Sequence, residues 1–83
     1  MEKQIRFDIT PEGVKAGDRG NVVKLLQRLC NTVVRGLAPE LVIDGIFGAK
    51  TEHYVRICQG YYSLEETGIA TGQLFEKLLG FEF

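Results

Sequence analysis

The stretch "VIDGIFGAKTEHYV", Val42 to Val55, decides how the chain is read. Gly45, Gly48, Lys50 and Thr51 stand in an order close to that of a phosphate-binding loop. The same letters contain Gly-x-x-Gly, the clamp by which KH domains grip a nucleic-acid backbone. Spacing disposes of the first reading. A Walker-type loop places Lys directly after its last glycine, so that the ammonium reaches the terminal phosphates, and here Ala49 intervenes. Residue type opposes the second, because Ile46 and Phe47 stand where a backbone clamp uses small or basic groups. A calcium reading of Asp44 lacks the neighbouring carboxylates that would complete the shell.

A turn accounts for the stretch better. Asp44-Gly45 is a turn dipeptide in which Gly45 is free to take positive φ. Phe47 then plugs the turn into a core, and Gly48 and Ala49 open a helix. The Asp44 carboxylate is expected to accept N–H groups of its own loop or of the helix start. Thr51, in the first helical turn, returns a hydroxyl to the same loop.

Bulk properties narrow the function classes. The 83 residues leave room for one domain with one core, too little for the sheet and crossover helices of a P-loop nucleotidase. Ten basic side chains against eleven acidic ones give a net charge of −1, which supplies no basic stripe for nucleic acid and no pull toward an anionic membrane. "MEKQIRFDIT" at the amino terminus lacks an apolar run of signal-peptide length, and no span is long enough to cross a bilayer. The expectation is a chain of cytosolic origin or a segment of something larger. Cys30 and Cys58 each lie in an apolar helical pattern and read as buried thiols. No short ligand spacing joins them to His53, so neither a metal nor another cofactor is expected.

Along the chain, "QIRFDI" (residues 4–9) alternates Ile5, Phe7 and Ile9 with polar residues, as a strand or extended arm does. Pro11, Gly13, Gly17 and Gly20 make turns, and Asp18 is placed to cap a first helix from Asn21 to about Val34. Its expected apolar stripe is Val22, Leu25, Leu26, Leu29, Cys30 and Val33. After a Gly- and Pro-bearing connection, a second helix is expected to start after Gly48 and run to about Tyr61, with Val55 and Cys58 inward and Tyr54 or Tyr62 beside them. A third, about Thr71–Leu79, buries Leu74, Phe75, Leu78 and Leu79 and stops at Gly80. "FEF" at the end is expected to pack beside the arm. The expected architecture is all-α: a three-helix bundle over residues 15–83, preceded by an extended arm over residues 1–14. "VVKLLQ" (Val22–Gln27) and "YVRICQ" (Tyr54–Gln59) echo one another, each ending in a Gln on the flank of an apolar face, where a carboxamide can bind loop backbone.

These residues together resemble the small peptidoglycan-binding domain found beside bacterial and phage cell-wall hydrolases. That family carries Gly-x-x-Gly-x-x-Val-x-x-Leu-Gln, matched by Gly17, Gly20, Val23, Leu26 and Gln27. It continues with Asp-Gly-x-Phe-Gly-x-x-Thr-x-x-Ala-Val-x-x-Phe-Gln, matched by Asp44, Gly45, Phe47, Gly48, Thr51, Val55 and Gln59. The likeness spans about residues 15–79. It implies a three-helix domain that binds wall glycan or its peptide stems without catalysis, normally targeting a hydrolase, and acting in the cell wall or outside the cell if exported or released with a phage. Tyr54 stands where the family has Ala and Cys58 where it has Phe. These positions lie four apart on one helix face, so a large and a small side chain have exchanged places, as a core tolerates.

Sugar recognition calls for an exposed aromatic face with polar groups nearby. Those residue types gather at the end of the second helix. Tyr61 is the expected platform, Arg56 a holder for a stem-peptide carboxylate, and Tyr62 a partner that continues the Thr51–Val55–Cys58 core face. The alternative is a protein–protein interaction or assembly module on the same scaffold, with Ile5, Phe7 and Ile9 offered to a partner. An enzyme is not expected, since one His and no carboxylate pair in a marked pocket assemble no mechanism.

Overall fold

Three α-helices follow one another: α1 (Asn21–Val34), α2 (Ala49–Tyr61) and α3 (Gly72–Leu79), with α1 packed against both of the others. The computed structural model describes residues 12–80, so the expected strand at residues 4–9 and the tail Phe81–Phe83 lie outside the described residues. Among the described residues the extended pairings are two isolated antiparallel bridges, Val14 with Ala70 and Arg19 with Ile46.

The core collects Val23, Leu26, Cys30 and Val34 from α1, Tyr54, Val55 and Cys58 from α2, and Leu74 and Phe75 from α3. Val14, Leu41, Phe47 and Ala70 complete it from the connections. Phe47 is the plug its place after the Asp-Gly turn predicts, at 1% exposure. On α1 the buried stripe is rotated from the expected one. Val23 and Val34 are fully inside, while Val22, Leu25, Leu29 and Val33 are only half-buried. The cause is polar: Gln27 and Asn31 also point inward, because each has backbone to satisfy across the core.

Asp18 does not cap α1. Its carboxylate accepts from the Lys15 N–H at 2.9 Å, closing a turn of its own, and Gly20 occupies the cap position without a side-chain bond. Gly80 ends α3 in the left-handed region at φ 81°.

Two loops of the same construction join the helices. In the first, the Gly45 N–H donates to Gln27 Oε1 at 2.9 Å, and Gln27 Nε2 donates to Asp44 Oδ1 and the Ile46 carbonyl, both at 3.1 Å. In the second, the Gly68 N–H donates to Gln59 Oε1 at 3.0 Å, and Gln59 Nε2 donates to Thr67 Oγ1 at 3.2 Å and the Ile69 carbonyl at 3.0 Å. Asp44 and Thr67 each accept from the N–H two residues on. Gly45 and Gly68 sit at φ 77° and 81°, a conformation that disfavours a Cβ. The echo between the helices thus extends into the loops that follow them.

The segment before α1 laces both loops together. Val14 exchanges N–H···O bonds with Ala70, at 2.9 and 2.8 Å. Gly17 N–H donates to the Phe47 carbonyl, Phe47 N–H to that of Asp18, and Gly20 N–H to that of Gly45. Phe47 and Ala70 each stand two residues beyond their loop glycine, so one strip of backbone fastens equivalent points of the two units.

The first loop lies eighteen residues beyond its Gln and the second only nine. The extra length needs its own anchors. Asn31 supplies one, accepting from the Leu41 N–H at 2.6 Å and donating to the Leu41 carbonyl at 2.9 Å. Tyr54 supplies the other, its hydroxyl donating to the Pro39 carbonyl at 2.5 Å. The large side chain that replaces the family's Ala is therefore buried at its ring and bonded at its tip.

Candidate functional site

Helix α2 positions the candidate site at both of its ends. It ends at Tyr61 with Tyr62 as its C-terminal cap, beyond an inward face of Thr51, Val55 and Cys58. Tyr61 is 64% exposed, and Tyr62 is half-buried against the core. The two rings meet edge to face at 4.9 Å between centroids and an angle of 89°. Burial, with Tyr61 beside it, pushes the Tyr62 phenol above its ordinary range.

Arg56 lies on the exposed side of α2. Its Nη1 donates to the Glu66 carbonyl at 2.7 Å, and its Nη2 pairs with Glu52 Oε2 at 3.2 Å. The guanidinium therefore ties down the loop ahead of Gly68, and it brings this loop beside the last turns of α2. Donors beyond those two bonds remain on the same planar group.

At the first turn of α2 the surface opens into a cavity of about 310 Å³. Leu41, Val42 and Ile46 form its apolar wall, and Asp44, Lys50 and Thr51 its polar one. Gln27 and Thr51 sit at its floor, bonded to each other at 3.0 Å. Val42 and Ile46 are 68% and 45% exposed, so the wall reaches the solvent. Asp44 is held below its ordinary carboxylate range, first by the Ile46 N–H and then by the Gln27 carboxamide. It is an anion at neutral pH, and Lys50 lines the same cavity.

The residues singled out from sequence as structural, Gln27, Asp44, Gly45, Phe47, Gly48, Thr51 and Gln59, gather around α2, with Gly17 and Gly20 on the lacing strip. Asp44 bonds its own loop; Gly48 at the helix start receives no side-chain cap. Sequence reasoning missed Asn31 and the cavity wall. The available signal was an Asn inside an apolar helix face, and the apolar residues Val42 and Ile46 flanking the Asp-Gly turn, both exposed. Among the described residues, no group of three or more His, Cys, Asp or Glu is arranged to hold a metal, and no helix is long and apolar enough to cross a membrane.

The family model described as peptidoglycan binding domain matches residues 18–78. The chain belongs to this family. A solved structure, the crystal structure of SleB N-terminal domain, is similar to it with a TM-score of 0.71 at 22% identity. The likeness covers 87% of this chain and 94% of that one, and it shows the three-helix fold. No curated protein matches the chain. As a member of the peptidoglycan-binding family the protein is a module for cell-wall material, and its all-α architecture is the one its motif residues imply.

Proposed function

We propose that this chain is a non-catalytic module that brings a wall hydrolase to peptidoglycan, and that α2 presents the contact surface. The family match over residues 18–78 is the observation that carries this reading. Tyr61 offers its ring as a platform for a sugar, braced at the edge by Tyr62. Arg56, one turn earlier, directs its remaining donors to a carboxylate of the peptide stem. The cavity at the other end of α2 offers an apolar wall with Lys50 beside it, suited to a short aliphatic side chain next to a carboxylate.

The test is co-sedimentation with purified peptidoglycan. Tyr61→Ala with Arg56→Ala should lower the bound fraction while the fold, followed by circular dichroism, persists. Ile46→Asp with Lys50→Glu tests the cavity in parallel. If only the second pair abolishes sedimentation, the surface is the cavity and not the tyrosine end. A second reading, a protein–protein module, is favoured by the exposed apolar side chains Leu37, Val42 and Ile46 in and beside one connection. It takes precedence if the parent chain itself stays in the supernatant.

A further inference from the structure

The cavity at the start of α2 carries charge of both signs. Asp44 and Lys50 line it, both are exposed, and they are not paired with each other: among the described residues the ion pair is Glu52 with Arg56. Asp44 commits only Oδ1 to the fold, accepting there from the Ile46 N–H and from Gln27 Nε2, so Oδ2 is left for a ligand. The floor has no such spare capacity. Gln27 Nε2 donates to Asp44, Ile46 and Thr51, Gln27 Oε1 takes the Gly45 N–H, and the Thr51 hydroxyl donates to the Ile46 carbonyl. Charge recognition therefore falls to two exposed side chains, one of each sign.

The apolar wall is preformed. Leu41 is held through both backbone groups by Asn31, and Ile46 through both of its own by Asp44 and Gln27. At about 310 Å³ the cavity stands at the small end of ligand pockets, which run from roughly 300 to 1,000 Å³. No aromatic side chain lines it, so it lacks the flat face on which a sugar ring stacks. Its lining suits an aliphatic chain with a charged end.

We propose, in an inference that rests on the wall-binding reading, that this cavity takes the free end of a diamino acid in an uncrosslinked peptide stem: an aliphatic chain ending in an α-ammonium and a carboxylate. The methylenes lie along Leu41, Val42 and Ile46, the ammonium meets Asp44, and the carboxylate meets Lys50. Cross-linking acylates that amine, which removes its charge and attaches a second peptide beside Asp44. The site therefore selects open stems over joined ones.

The test is a titration of the isotope-labelled full chain, followed through its amide shifts by two-dimensional NMR. Three probes are compared: the tripeptide alanyl-γ-glutamyl-diaminopimelate, the same peptide ending in lysine, which keeps the ammonium but lacks the carboxylate beside it, and the diaminopimelate peptide acetylated on its far amine. The first should shift the amides of Val42, Ile46 and Lys50, and bind about fivefold tighter than either of the others, the worth of one solvent-exposed ion pair. Lys50→Gln should cost the diaminopimelate peptide that factor and leave the lysine peptide unaffected. Asp44→Asn, which keeps the Oδ1 acceptor, should weaken both unacetylated peptides and leave the acetylated one unchanged. Weakening of all three probes alike would mark a structural role and overturn the proposal. So would equal affinities for the three peptides, shifts confined to the Tyr61 end of α2, or no shift at millimolar peptide. Co-sedimentation with purified peptidoglycan separates the two failures. Wall binding without a response to the peptides removes this site alone, whereas a parent chain left in the supernatant removes the wall-binding reading and this inference with it.

Discussion

Gln27 and Gln59 perform the same operation on two different loops. Each takes the N–H of a left-handed glycine, Gly45 or Gly68, on its Oε1 and returns its Nε2 to the carbonyl of the next residue. Both side chains are almost fully buried, at 1% and 3% exposure. A carboxamide suits this position because it offers donor and acceptor together, which neither Glu nor Leu can do. Gln27 adds a bond to Thr51, for which the second unit has buried Leu74 at the matching place.

Replacement of either Gln by Leu keeps approximate volume but leaves a buried glycine N–H without its acceptor. Gln27→Leu should cost about 1–3 kcal/mol in urea unfolding, and Gln59→Leu a similar amount. Gln27→Leu combined with Thr51→Val should cost less than the two single changes added together, since they share one bond. Strict additivity in that cycle would remove Thr51 from the network.

Asp44 sets the acid limit of the first loop. Its folded pKa lies below the ordinary 3.8, because the Ile46 N–H and then the Gln27 amide donate to the charged form. Between those two pKa values the unfolded chain binds more protons, so stability rises with pH there. The contribution is complete above the unfolded value and disappears as pH falls through the folded one. Asp44→Asn should therefore flatten the acid side of a stability–pH profile below about pH 4. An unchanged slope would show that the carboxylate gains nothing from its donors.

Gly68 and Gly60 respond in opposite senses to the same added methyl. At Gly68, with φ 81°, a Cβ would lie 2.9 Å from Glu52 Cγ and 3.1 Å from Arg56 Nε. Gly68→Ala should destabilise by about 1–2 kcal/mol from backbone strain alone, and it should disturb the Glu52–Arg56 pair. Gly60 is helical, and its Cβ would meet only the mobile end of the exposed Glu66 side chain. Gly60→Ala should stabilise by about 0.5–1 kcal/mol. Paired thermal melts decide both.

Tyr54→Phe keeps the buried ring and removes the bond to Pro39. The expected loss is about 1 kcal/mol, with faster amide exchange confined to the connection between α1 and α2. Uniform acceleration across the domain would mean that the hydroxyl supports the core as a whole.

Much of this was readable before any coordinates. The Asp-Gly turn, the Phe47 plug and the Gly80 stop follow from residue chemistry within a few positions, and each stands where that chemistry places it. The repeat of Gln after an apolar face foretold a carboxamide on loop backbone, and both were found. Periodicity alone misjudged the face of α1, because Gln27 and Asn31 count as polar in a pattern yet are buried by their bonds. Asp18 was misassigned because local turns compete with helix caps for the same carboxylate. Arg56 illustrates the harder limit. Its bond to the Glu66 carbonyl depends on where a loop ten residues away returns, which no local pattern encodes.

Helix α2 closes one unit through Thr51 and opens the next through Gln59. The eight helical steps from Thr51 to Gln59 act as a ruler roughly 12 Å long. One inserted residue between them would swing Gln59 by about 100° and carry the second glycine loop off its partner. Natural or engineered changes of length should therefore be intolerable within α2. They belong in the long connection before Asp44, where Asn31 and Tyr54 already hold slack chain in place.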